Sequence, residues 1–216
     1  MIARSGFGRA DSNVSILSPK LLSVTAPGAV YMGGSQEWYE GAWQRRAGCG
    51  PTVAAGLVWY LARSRPTLAP LCDIGDAGQA RFLALMRDMF CYVTPGSQGV
   101  NTARRFSDGA RRYGAARAVP LAARTFEIRR HDPDEAALRD FTVGCLRDDL
   151  PVGFLNLSNG ALRDLDSWHW VLLSALETET LTAVICDQGQ EKEIDMALWM
   201  RTTLLGGALV ALEADV

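Results

Sequence analysis

The 216-residue chain is poor in histidine: it has only His131 and His169. Chemistry that needs an imidazole base therefore has two positions to choose from. No Cys-x-x-C pair occurs among the five cysteines, Cys49, Cys72, Cys91, Cys145 and Cys186. An odd count at wide spacing excludes a zinc knuckle and a redox dithiol, and it argues against a disulfide framework. No apolar run reaches the roughly 18 residues of a membrane span. The opening stretch, MIARSGFGRADSNVSILSPK, lacks the apolar core of a secretion signal. These absences give the expectation of a soluble, cytoplasmic protein without a membrane partner. A surplus of one charge is missing as well: a net charge of −2 supplies no global field toward nucleic acid. No metal-binding spacing, cofactor motif, internal repeat or low-complexity tract appears, so no metal and no cofactor are expected.

What is present is ordinary globular composition, 48% hydrophobic and 21% charged. That length and composition suit one domain, read as residues 28–216, behind an N-terminal arm at 1–27. Residues 28–43 mix glycine with aromatics and read as loop or short strand. From Pro51 a segment apolar on every side runs to RSRP, the mark of a buried central helix with Cys49 at its mouth. Helical spacing predicts further helices over 76–93 and 99–115, and a fourth over 133–149 with Asp132 as its cap and Pro133 first. Strand patterns fall at 117–128, 151–158, 167–177, 180–189 and 206–214. Helices first and strands later give an α+β class with a mostly antiparallel sheet. Cys72, Cys91, Cys145 and Cys186 sit among apolar neighbours and read as small buried hydrophobes.

Cys49 reads differently. It stands between two glycines at the start of the buried helix, where unpaired N–H groups and the positive dipole end favour a thiolate. The flanking glycines would let a substrate backbone approach the sulfur. A base is then required. His131 lies in the charged stretch RRHDPDE and reads as solvated surface, whereas His169 lies in a strand between Trp168 and Trp170. Asp187, at the end of the following strand, is the candidate to orient the imidazole. Asp164 and Asp166 are its rivals. The Cys49 backbone N–H and the Gln44 side chain are candidate oxyanion donors, with Gln36 as a further candidate.

The stretch QRRAGCGPTVAA, the strand HWVLLSAL from His169 and the turn VICDQG at Asp187 together resemble the papain-like cysteine peptidases. They are most similar to the bacteriocin-leader (double-glycine) peptidases and their stand-alone bacterial relatives. The resemblance covers roughly residues 30–213. It implies a papain-like fold and a Cys49–His169–Asp187 triad that cleaves a peptide or protein substrate through a thioester. Three departures stand out. Gln44 precedes Cys49 by five residues rather than the usual six, Gln188 stands where a proline usually follows the acid, and no transporter segment accompanies the domain.

The same triad serves acyltransferases, deamidases and transglutaminase-like enzymes. Transglutaminase-like domains place the histidine sooner than 120 residues after the cysteine, the interval here (169 − 49). An inactive binding module of the same fold is the third reading. Specificity is expected in the loops 30–43, 94–100 and 157–167, with Trp168, Trp170 and Tyr39 as candidate lining. The arginine-rich ARRFSDGARRYGAARA reads as a solvated helix face. No coiled-coil or edge pattern indicates an oligomeric state.

Overall fold

The computed structural model describes residues 12–72, 75–130 and 134–215. His131 and the expected Asp132 and Pro133 helix start lie outside the described residues. The chain is a mixed α+β fold built around an antiparallel sheet, with its helices concentrated in the first two thirds.

Among the described residues three short strands come first, β1 (Asn13–Ser15), β2 (Ser23–Ala26) and β3 (Ala29–Met32). Helix α1 (Ala42–Ala47) then leads directly into α2 (Cys49–Ser64), with Gly48 between them. After α3 (Gln79–Tyr92), α4 (Ala103–Ala116) and β4 (Leu121–Ile128), helix α5 (Glu135–Arg147) crosses to the strands β5 (Val152–Asn156), β6 (His169–Glu177), β7 (Thr182–Asp187) and β8 (Gln190–Asp195). Helix α6 (Met196–Thr202) and strand β9 (Gly207–Ala214) close the fold. Among the described residues, seven strands form one sheet in the order β4-β9-β5-β6-β7-β8, with β1 beside the far half of β6.

Helix α2 is buried from Cys49 to Ala62. It packs on β5, β6 and β9 through one side and on α3 and α4 through others, as a helix apolar on every side must. Trp59 meets the Phe82 ring edge-on at 5.3 Å. Each fully buried leucine or valine here is worth about 1.5–3 kcal/mol of hydrophobic transfer, so the helix is firmly seated.

The expected arm is part of the fold from residue 12 onward. Strand β1 pairs with β6, and Ile16, Leu22 and Val24 are core residues. Arg63 of α2 donates to the Leu21 carbonyl. The apolar spacing of 14, 16, 22 and 24 was hidden among serines. Helix α5 starts at Glu135, and the Asp134 side chain caps it by accepting from the Ala137 N–H at 2.8 Å. The segment 28–43, expected as loop or strand, also begins α1. Cys91 is exposed on α3, unlike Cys72, Cys145 and Cys186, which are buried as expected.

The register places the site. Ile128, Gly207, Asn156 and His169 line up across one end of the sheet, each opposite the next. Leu172 faces Cys186 in the neighbouring strand. Continuing that register sets Asp187 opposite Val171, diagonal to His169 on the same face.

Candidate active site

Cys49 is the first residue of α2 and is 9% exposed. The glycines beside it are there for packing. A Cβ on Gly48 would strike the Gln44 carbonyl and come within 2.5 Å of the Tyr39 ring; one on Gly50 would come within 2.8 Å of Val100. The backbone on both sides of the thiol is thus pressed against the protein itself, which corrects the reading that those glycines admit a substrate.

His169 Nε2 lies 2.8 Å from Asp187 Oδ1. Cys49 borders the same small hollow as the ring and, like Asp187, favours the ring's charged form. With Nε2 engaged by the carboxylate, Nδ1 is the nitrogen left for sulfur. Burial, the largest single influence, works against the charged ring. The bonds and charges of Asp187 and Cys49 outweigh it, and the His169 pKa is pushed up to about 10. Burial likewise opposes ionisation of Asp187, but the His169 and Lys192 contacts hold its carboxyl below the ordinary carboxylate value. Lys192 Nζ sits 2.9 Å from Asp187 Oδ2. Imidazole, carboxylate and ammonium form one continuous chain, and the Cys49 thiol borders the hollow beside the ring. Asp164 and Asp166, the rival acids, are exposed, and Asp166 uses its backbone carbonyl to accept from Asn156.

A tight hairpin turn, Gln188–Gly189, makes the fourth link possible. Both residues have positive φ, 50° and 78°, as a two-residue I′ turn requires. Proline cannot adopt a positive φ, so a proline after the acid is incompatible with this turn. The turn folds β8 back along β7 and delivers Lys192. Gln188 is fixed in turn, its Oε1 accepting from the Ser35 hydroxyl at 2.7 Å.

Two hollows meet at Cys49. The larger, a cleft of about 230 Å³, is bounded by Trp43, Arg46, Gln98 and Trp168. The smaller, of about 20 Å³, lies between Cys49, His169 and Gln36, with room for about one water-sized group. The Gln36 Oε1 is buried there without a hydrogen-bond partner among the described residues. A half-turn of this carboxamide exchanges its oxygen for its NH₂, turning the orphaned position into a donor. Gln44 is not among the residues lining either hollow, and its Oε1 is turned back toward Gly41. The oxyanion expectation at Gln44 is therefore corrected in favour of Gln36.

The three expected lining aromatics separate. Trp168 is 48% exposed and forms a wall of the cleft. It holds a φ of 58°, a strained conformation for so bulky a residue, of the kind found at functional sites. Tyr39 is buried, its hydroxyl donating to the Met86 carbonyl, and it offers no surface to a substrate. Trp170 is buried as well, stacked on Phe106 and donating to the Val100 carbonyl, and it lines the smaller hollow rather than the cleft. Trp43, Arg46 and Lys192 carried no sequence signal that set them apart from surface residues. Among the described residues no helix is long and apolar enough to cross a membrane, and no cluster of metal ligands is present. The sequence matches no family model and no curated relative.

Proposed function

We propose that this chain is a cysteine peptidase of the papain-like kind, similar to the stand-alone relatives of the bacteriocin-leader peptidases. The observation that carries the reading is His169, which bonds Asp187 through Nε2 and lines one small hollow together with Cys49. A thiol set beside an imidazole at a helix start is the arrangement that activates a cysteine nucleophile. The Cys49 sulfur attacks the substrate carbonyl. The developing oxyanion enters the one-atom hollow, facing the Gln36 carboxamide and the Cys49 N–H at the head of α2. His169 gives its proton to the leaving amine, and a thioester forms. Water then attacks the thioester, His169 takes a proton from it, and the acid product leaves while sulfur regains its charge. Asp187 holds the ring in place and balances its charge throughout.

Alkylation tests the reading. In native protein treated with iodoacetamide at pH 6, Cys49 is expected to label ahead of the exposed Cys91. Burial pushes the Cys72 and Cys145 thiols up to about 11 and the Cys186 thiol up to about 12, so these stay unreactive. Cys49→Ala is expected to lose peptide cleavage by at least about 10³-fold. Preferential labelling of Cys91, with Cys49 untouched, sinks the reading.

A further inference from the structure

The cleft beside Cys49 ends against a turn at residues 96–99, and a second hollow of about 540 Å³ opens past that turn. Gly96 and Gly99 exchange both backbone hydrogen bonds, at 3.0 and 2.9 Å. Ser97, Gln98 and Gly99 line the cleft, while Thr94, Pro95 and Gly96 line the second hollow, so one short turn is a wall of both. We propose that the second hollow binds an acidic stretch of the substrate, so that this enzyme cleaves peptides bearing Asp or Glu on one side of the scissile bond. The proposal deepens the peptidase reading and rests on it.

The hollow's charge is one-sided. Arg104, Arg105 and Arg112 line it against a single carboxylate, Asp108, which is already bonded by Arg111 and lies 3.5 Å from Arg104. Two of the guanidiniums are aimed by backbone carbonyls. Arg105 donates to the Gly99 carbonyl at 3.3 Å, and Arg112 to the Tyr92 carbonyl at 2.8 Å. Neither is ion-paired among the described residues, and each keeps further N–H donors for an incoming carboxylate. A Cβ on Gly96 would run into the Arg105 guanidinium, so glycine is what lets that side chain lie against the turn. The start of the 14-residue helix α4, capped by the Thr102 hydroxyl, adds its positive dipole end. On the cleft side, Arg46 is exposed beside Cys49 with no ion pair among the described residues. A solvated helix face explains the charge of these arginines but not the hollow, the carbonyl aiming or the shared turn. The base of such a turn is about 5.5 Å wide. At about 3.4 Å per extended residue, about two residues of an extended peptide span that width.

Binding tests this without turnover. Cys49→Ala protein is titrated with fluorescein-labelled Gly-Gly-Glu-Glu-Glu-Glu and its Gln counterpart, read by anisotropy. The Glu peptide is expected to bind about tenfold tighter or better, and Arg104→Gln with Arg112→Gln to erase the preference. The charge-matched pair Arg147→Gln and Arg201→Gln, outside the hollow, is expected to retain it. In wild-type protein, saturating Glu peptide is expected to slow alkylation of Cys49. Equal binding of the two peptides, a preference indifferent to the hollow's arginines, or an unchanged alkylation rate overturns the proposal. Absence of Cys49 labelling without any peptide overturns the peptidase reading instead.

Discussion

On the sheet side of the cleft, the candidate site is a line of bonded charges: the His169 ring, the Asp187 carboxylate and the Lys192 ammonium, with contacts of 2.8 and 2.9 Å. On the helix side there is one reactive group, Cys49, and everything that places it is steric. Gly48 lies under the Tyr39 ring, Gly50 lies under Val100, and α2 is sealed in the core. The two walls should therefore fail differently. The sheet wall is sensitive to a change of charge at constant shape, whereas the helix wall is sensitive to a single added methyl. Positioning by packing is rigid because native interiors leave no slack. Positioning by charge is adjustable by pH.

The largest break in this comparison comes from His169→Ala. It removes the middle link of the charged line and the only imidazole near the thiol among the described residues. Peptide cleavage is expected to fall at least about 10³-fold. The iodoacetamide rate of Cys49 at pH 6 is expected to fall to that of Cys91. Retained fast alkylation would mean that the helix start alone activates the sulfur, and the two walls would then be independent.

Gly50→Ala tests the other wall with a smaller expected effect. In a helix, alanine is favoured over glycine by roughly 0.5–1 kcal/mol. The new methyl, however, would sit 2.8 Å from Val100 Cβ and 3.4 Å from the Trp170 ring, and overpacking costs about 1–3 kcal/mol. Net destabilisation is expected in thermal melts, with cleavage lowered about tenfold or more as the sulfur shifts against His169. A melting temperature raised by this substitution would show that the helix start has room, and the steric half of the comparison would be lost.

The same division explains what the sequence could reveal. Helix α2 was legible because an all-round apolar run has few other homes, and β6 and β7 because their strand patterns are long. Cys49, His169 and Asp187 were readable as candidates because only two histidines exist and the hairpin spacing limits the acids. Strand β8, QEKEID, was not legible: it is a charged edge strand with a single buried residue, Ile194. Lys192 went unseen with it. Gln36 and Gln44 could not be ranked from spacing, since the turn of 3₁₀ helix at Gln36–Trp38 and helix α1 fold the chain between them. Tyr39 was misread because an aromatic beside glycines looks alike whether it covers a ligand or its own backbone.

The finest distinction comes from Lys192→Met, which keeps the stem and removes the ammonium. The Lys192 side chain is 35% exposed, so the pair is screened and contributes under about 1 kcal/mol. Its effect should appear in pH dependence instead. Asp187 has a lowered pKa in the fold. Its stabilising contribution is present above the unfolded value of about 3.9 and lost as pH falls through the lower folded value. Without Lys192 that folded value rises, so acid unfolding is expected to begin at a higher pH. His169 has a raised pKa. Its contribution is present below about 6.5 and lost as pH climbs through about 10, and Asp187 and Cys49, not Lys192, sustain it. Melting temperatures measured from pH 3 to about 10.5 should therefore show the acid limb displaced and the alkaline limb in place. A shift of both limbs would make the ammonium part of what holds the imidazolium. A shift of neither would reduce it to a surface pair, and the charged line would end at Asp187.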